Sequence, residues 1–274
     1  MSGVVQRLST SFGLARSLVV YYGQPWRRSA LRRFYASVVK PGDLVFADTG
    51  WQDYAAVPAK HLTKMPRLEP LTHLLSGSRT LLDLGTRVVA VEPQPAFADF
   101  IESRFSSALT GFERVAVGRK AGEIDLLISS RHPTVTSISS SFVETVKQSK
   151  GFAQVVWDRK VTVPMVTLDH LIAKYGLPTF CKIDVEGAEA EILQGLSKPI
   201  PLIAFEYIPA MPSVASNAID RLMGLGGYRF NRVVGEQHRF VWDRWKTANE
   251  ILVELSQMPP DAPSGDVYAR IEAP

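Results

Sequence analysis

Short apolar runs separated by stretches of helical periodicity constrain this chain more than any other feature. Leu44-Val45-Phe46-Ala47, Val88 to Val91, Arg114 to Val117, Ile124 to Ile128, Val161 to Val166, Phe180 to Val185 and Leu202 to Tyr207 read as strands, several of them buried. Between several of them, apolar residues recur at helical spacing over 97–104, 169–174 and 188–196. Strands alternating with helices predict parallel pairing and helices on both faces of the sheet, an α/β fold. Tyr228 to Val234, Phe240 to Trp242 and Val267 to Ile271 read as later strands, the last as an antiparallel edge. Thr167 and Asp169 straddle a strand-to-helix junction, where Asp169 is the expected N-cap.

The N-terminal 40 residues differ in charge from the rest. They hold seven Lys or Arg and no Asp or Glu, while the other 234 residues carry 24 basic against 27 acidic groups, so the net charge of +4 belongs to the N-terminal part. Val4, Val5, Leu8, Phe12, Ala15, Leu18 and Val19 predict an amphipathic helix over 3–20. Pro25 interrupts the pattern, 30–39 reads as a second short helix, and Pro41-Gly42-Asp43 is a turn. The division expected is a helical arm over 1–40 and the α/β domain over 41–274. Such an arm suits contact with an acidic partner or a membrane surface, and it has the acid-free, Arg- and Ser-rich composition of a transit peptide; solvated N-terminal helices are the plainer reading. No basic-plus-aromatic recognition motif recurs, so no nucleic acid is expected. The apolar runs fall far short of the ~20 residues of a membrane span. The single cysteine, Cys181, lies in an apolar run and reads as a buried inert thiol, which fits a reducing, cytoplasmic setting.

Two segments carry chemistry. In Phe180-Cys181-Lys182-Ile183-Asp184-Val185-Glu186-Gly187-Ala188-Glu189 a buried strand runs through a glycine into a helix. Ligands of open α/β sheets sit beyond the carboxyl ends of the strands. Asp184 and Glu186 are two apart and share one side in extended geometry, where they can hold a cationic ligand, a metal or a hydroxyl proton. Equally, one of them can simply cap the helix and complement its dipole. In Arg87-Val88-Val89-Ala90-Val91-Glu92-Pro93, Glu92 sits at a strand tip, a position from which an acid accepts the ribose hydroxyls of a nucleoside.

With Val89-Ala90-Val91-Glu92-Pro93-Gln94-Pro95, Val115-Ala116-Val117-Gly118, Val166-Thr167-Leu168-Asp169, Lys182 to Glu189 and Phe205-Glu206-Tyr207 in this order over 42–207, the chain resembles the FkbM-type methyltransferase family. The Lys-Ile-Asp-Val-Glu-Gly-Ala-Glu run is the specific element. The resemblance implies a class I, Rossmann-like methyltransferase fold with S-adenosylmethionine as cofactor and a small-molecule or saccharide hydroxyl as acceptor. It implies that Glu92 binds the cofactor ribose, that Ala116 and Val117 flank the adenine, and that Asp184 and Glu186 lie by the methyl group and the acceptor.

The family's first strand ends in Asp-x-Gly with a second glycine soon after. Here Asp48-Thr49-Gly50 supplies the start, making Asp48 and Gly50 the expected cofactor residues, but no further glycine follows before Gly77. Leu81 to Gly85 is a rival for this strand. Asp83 and Glu92 are only nine positions apart, too few for a parallel crossover of about a dozen residues. Leu44 to Asp48 is therefore the first strand, 71–84 mainly helical with Gly85 near its C-cap, and 51–85 an atypical insertion, a lid or a disabled cofactor loop. A catalytically impaired relative acting as a binding or scaffold protein remains the first alternative. A nicotinamide-dependent oxidoreductase would also place an acid at Glu92, but needs a Gly-x-Gly-x-x-Gly loop that the sequence lacks. On the acceptor side His238 is a candidate base and Ser140 a candidate hydrogen-bonding residue. His132 and His170 lack metal-ligand spacing, so no metal is expected.

Overall fold

The computed structural model describes residues 25–48, 76–129, 136–139, 143–144, 155–185 and 187–272. In chain order the elements are α1 (Pro25–Ala36), β1 (Leu44–Asp48), α2 (Ser76–Asp83), β2 (Arg87–Val91), α3 (Pro95–Phe105), β3 (Gly111–Glu113), β4 (Ala116–Val117), β5 (Gly122–Ile128) and β6 (Arg159–Val166). They continue with α4 (Leu168–Tyr175), β7 (Phe180–Ile183), α5 (Glu189–Gln194), β8 (Leu202–Tyr207), α6 (Pro212–Met223), β9 (Tyr228–Val234), α7 (Ala248–Ser256) and β10 (Gly265–Ile271).

Seven strands form the main sheet in the order β3-β2-β1-β7-β8-β10-β9. Pairing is parallel from β3 to β8, whereas β10 runs antiparallel to both β8 and β9. From β1 the chain first builds outward through β2 and β3, then returns to build the other half from β7. The carboxyl ends of β1 and β7 therefore flank the point where strand order reverses, the place at which open α/β sheets leave a crevice. This is the Rossmann-like, mostly parallel α/β architecture. A smaller sheet, β4-β6-β5, branches from the chain after β3.

The period of two along each strand sorts side chains onto two apolar layers. Phe46, Val89, Cys181, Ile183, Ile203 and Phe205 pack beneath residues of α4 to α7, including Leu171, Leu193, Ile219 and Ile251. Val45, Ala47, Val88, Phe180, Ala204 and Tyr268 face the opposite way, against Leu31, Phe34 and Tyr35 of α1 and Leu81 of α2. Burying a ring such as Phe180, which has no exposed surface, stabilises the fold by about 2–3 kcal/mol. Helices thus cover both faces, and α1 is bound to the sheet through core side chains.

Several expectations need correction. Val267 to Ile271 belongs to an antiparallel strand but not to an edge, because β10 sits between β8 and β9 with Val267, Tyr268 and Ala269 buried. Phe240 to Trp242 is no strand. It follows a turn after β9 and keeps only isolated bonds to that strand, such as Val241 N–H to the Arg232 carbonyl. Only Ala116 and Val117 of the 114–117 run are in a strand, β3 was not anticipated, and the helix expected over 30–39 runs from Pro25 to Ala36 as α1. Asp169 is not the N-cap of α4. Thr167 takes that position in extended conformation, its hydroxyl accepting from His170 N–H at 3.1 Å, and this leaves the Asp169 carboxylate to accept from Ser197 N–H at 2.9 Å. Of the helix expected over 71–84, the described part is α2 (Ser76–Asp83), and Gly85 follows two residues on with φ 81°. The helix expected over 3–20 and the segment 49–75 lie outside the described residues.

Candidate active site

At the carboxyl edge of β1, β2 and β7 lies a cleft of about 520 Å³, open in part to solvent. Register places the three strand tips side by side, Asp48 opposite Val91 and Ala47 opposite Lys182. The lining is almost wholly apolar and comes from both sheets: Phe46, Val91 and Ile183 from the main sheet, and Ala116 and Val117 from β4, with Ile138 nearby. Its apolar walls suit a flat heteroaromatic ring. Past β8, Ile208 and Met211 pack with Val143, Leu127 and Trp157, so the smaller sheet also closes over this edge.

Glu92 follows β2 directly and is 4% exposed. One carboxylate oxygen accepts from Gln94 N–H at 2.7 Å, and its own N–H donates to the Glu113 carbonyl. Gln94 in turn donates from its side-chain amide to the Thr136 hydroxyl at 2.7 Å. The tip of β2 is thus held by a buried polar turn, and the residues on either side of Glu92, Val91 and Pro93, line the cleft.

Asp184 stands between two other lining residues, Ile183 and Val185, but its carboxylate turns to Lys182. The Lys182 ammonium lies 3.3 Å from Asp184 and 2.9 Å from Asp266, with only 17% of its side chain exposed. Burial disfavours this ammonium, yet the two carboxylates outweigh it and hold its pKa well above the usual lysine value. Tyr35 of α1 packs nearby, its phenol pushed up to about 12 by burial. Lys182 was not singled out in the sequence, because a lysine inside an apolar strand gives no sign of the β10 aspartate 84 positions away that neutralises it.

Asp184 does not cap α5: position 188, an alanine, is the N-cap residue, without a side-chain cap bond; Glu186 lies outside the described residues. Glu189 instead turns back, and one of its oxygens accepts from Val185 N–H at 3.2 Å and Gly187 N–H at 3.3 Å. Glu189 is the residue that sequence reasoning passed over, though its place in the first turn of a helix is a recognised signal for a backward-reaching carboxylate.

The other candidates fall as follows. Ala116 and Val117 line the cleft. Gly50 and Ser140 lie outside the described residues, as does the Asp48 side chain, although the Asp48 backbone ends β1. His238 follows β9 with φ 48° and its ring lies 6.5 Å from that of Phe34, on the sheet face opposite most of the cleft lining. Cys181 is buried, as expected. Trp242 and Trp245 are packing residues, Trp242 under Arg232 and Lys246 and Trp245 under Arg270. Among the described residues no cluster of three or more His, Cys, Asp or Glu could hold a metal ion, and no helix is long and apolar enough to cross a membrane.

A parallel sheet whose order reverses beside a cleft at its carboxyl edge, with an antiparallel strand inserted near the far end, is the class I methyltransferase arrangement. Residues 72–258 match the model of the methyltransferase FkbM domain, and the chain belongs to that family. The match starts after β1 and covers the Glu92, Ala116 and Asp184 segments. No curated protein matches the chain. Among solved structures, the chain is similar to a precorrin-6y C5,15-methyltransferase from Geobacter metallireducens GS-15, with 12% identity, 89% of this chain and 87% of that one covered, and a TM-score of 0.39. It is also similar to an S-adenosylmethionine-dependent O-methyltransferase from Thermotoga maritima, with 11% identity, 89% and 65% coverage and a TM-score of 0.36. An rRNA methylase from Streptococcus thermophilus gives 12%, 88% and 94%, and 0.35. These overlaps are loose, and the fold class rests on the strand order.

Proposed function

We propose that the protein is an S-adenosylmethionine-dependent methyltransferase that methylates a hydroxyl of a small molecule or saccharide, acting in the cytoplasm through a domain over 41–274 onto which α1 packs. The observation that carries this reading is the apolar cleft at the β1, β2 and β7 tips in a chain of the FkbM family. Its walls fit an adenosine: Ala116 and Val117 flank the ring, the buried Glu92 turn binds the ribose hydroxyls, and the Asp48–Gly50 turn follows the first strand. The cofactor supplies an electrophilic methyl group on a sulfonium. Asp184 and Glu186 orient the acceptor hydroxyl and take its proton, with Ser140 as a further acceptor-side group. Lys182, paired with Asp184 at 3.3 Å and with Asp266 at 2.9 Å, fixes the direction of the Asp184 carboxylate at this edge. Holding donor and acceptor in near-attack geometry supplies on the order of 7–11 kcal/mol of the acceleration.

Calorimetric titration with S-adenosylmethionine and its demethylated product tests the reading, with binding expected for both and no heat with either overturning it. One observation favours a second reading, a family member that has lost catalysis and serves as a binding protein: the family match leaves out 42–71, where the cofactor turn should lie. Cofactor binding without methyl transfer to any hydroxylated acceptor would favour that reading.

A further inference from the structure

We propose that Glu189 is a positioning residue for methyl transfer, its carboxylate clamping the backbone that follows Asp184. The proposal rests on the methyltransferase reading above and extends it to a residue that does not touch the reacting atoms. The side chain is 1% exposed, and its Oε1 accepts from two backbone N–H groups, those of Val185 and Gly187, which bracket position 186. Oε2 is buried with no hydrogen-bond partner among the described residues. A carboxylate placed so deeply, with only one oxygen satisfied, is costly to keep, and it is held by the turn that it organises. Gly187 has φ 95°, a conformation that leaves its N–H aimed inward at Glu189 instead of continuing the strand. Val185, the other residue bound, is part of the cleft wall. One side chain thus ties together the wall of the cofactor cleft at Val185 and the strand end that carries Asp184. Burial pushes Glu189 up to about 7, with the Asp184 carboxylate adding to the shift.

Amide hydrogen exchange together with steady-state kinetics on the full chain tests this, comparing wild type with Glu189→Ala and Glu189→Gln. In Glu189→Ala, exchange at Val185 and Gly187 is expected to accelerate about tenfold or more while the amides of β8 keep their protection, since each lost bond is to a charged or polar acceptor. Glu189→Gln, which keeps an oxygen at the same reach, should retain that protection. In turnover, Glu189→Ala should lose about tenfold or more in kcat with the KM for cofactor nearly constant, and Glu189→Gln should recover most of it. Unchanged exchange at 185 and 187 in Glu189→Ala overturns the clamp, whatever the protein catalyses. Faster exchange with undiminished kcat overturns the positioning role. A clamp that behaves as described in a wild-type chain that binds no S-adenosylmethionine overturns the methyltransferase reading, and with it the assigned purpose of the clamp, but not the clamp itself.

Discussion

Lys182 and Asp184, two residues apart at the end of β7, form an ion pair of 3.3 Å whose side chains are only 17% and 8% exposed. Asp266 completes it from β10, two strands away. Replacing Lys182 by Met leaves two carboxylates without their shared ammonium. Losing one partner of a largely buried pair should lower stability by about 3 kcal/mol. Denaturant unfolding measures this, and Asp266→Asn in the Lys182→Met background should restore part of the loss. An unchanged midpoint would mean that the pair contributes nothing.

Glu92 is the second test. Its replacement by Ala should weaken S-adenosylmethionine by about tenfold or more, the cost of losing hydrogen bonds to a charged acceptor. The same change frees Gln94 N–H, so the fold should be checked by circular dichroism beside the titration. Equal affinity in a folded variant removes Glu92 from the cofactor site.

Glu189 makes stability depend on pH. Its pKa is raised from 4.5 to about 7, so between those values the folded state binds more protons than the unfolded one. Stability contributed by the protonated form is full below about pH 4.5 and is lost as pH rises toward about 7. The charged group acting on it is Asp184; Glu191 of the same helix is exposed and pairs with Arg119, and Arg221 of α6 donates to carbonyls at the far end of α5. Glu189→Gln should flatten the stability profile across that window, as read from unfolding midpoints, and a profile identical to wild type would contradict the assignment.

Gly195 ends α5 where its backbone meets the loop after β4. A Cβ there would run into the Gly118 carbonyl and press on Thr167 Cβ at 3.1 Å. Backbone cannot swing aside as a flexible side chain can, so Gly195→Ala should destabilise by about 1–3 kcal/mol. Because this contact ties α5 to the β4 wall of the cleft, cofactor affinity should fall with stability; thermal melts with and without S-adenosylmethionine measure both.

What the residues themselves determined is local or periodic. Apolar runs of strand length between helical patterns dictated a mostly parallel α/β sheet, and a spacing of only nine positions from Asp83 to Glu92 left too little chain for a crossover, which made β1 the first strand. The Lys182 to Glu189 run pointed to the candidate site. The tertiary structure alone decided which side chains meet. Periodicity cannot say that β10 enters between β8 and β9, since strand order depends on which edges remain open once β8 has formed. Nor can it say that Asp184 turns to a lysine also held by Asp266, because a salt bridge across 84 residues leaves no trace in local spacing. Nor does spacing show that Glu189 reaches back to the strand end, where the folded turn brings one of its oxygens to the N–H groups of Val185 and Gly187.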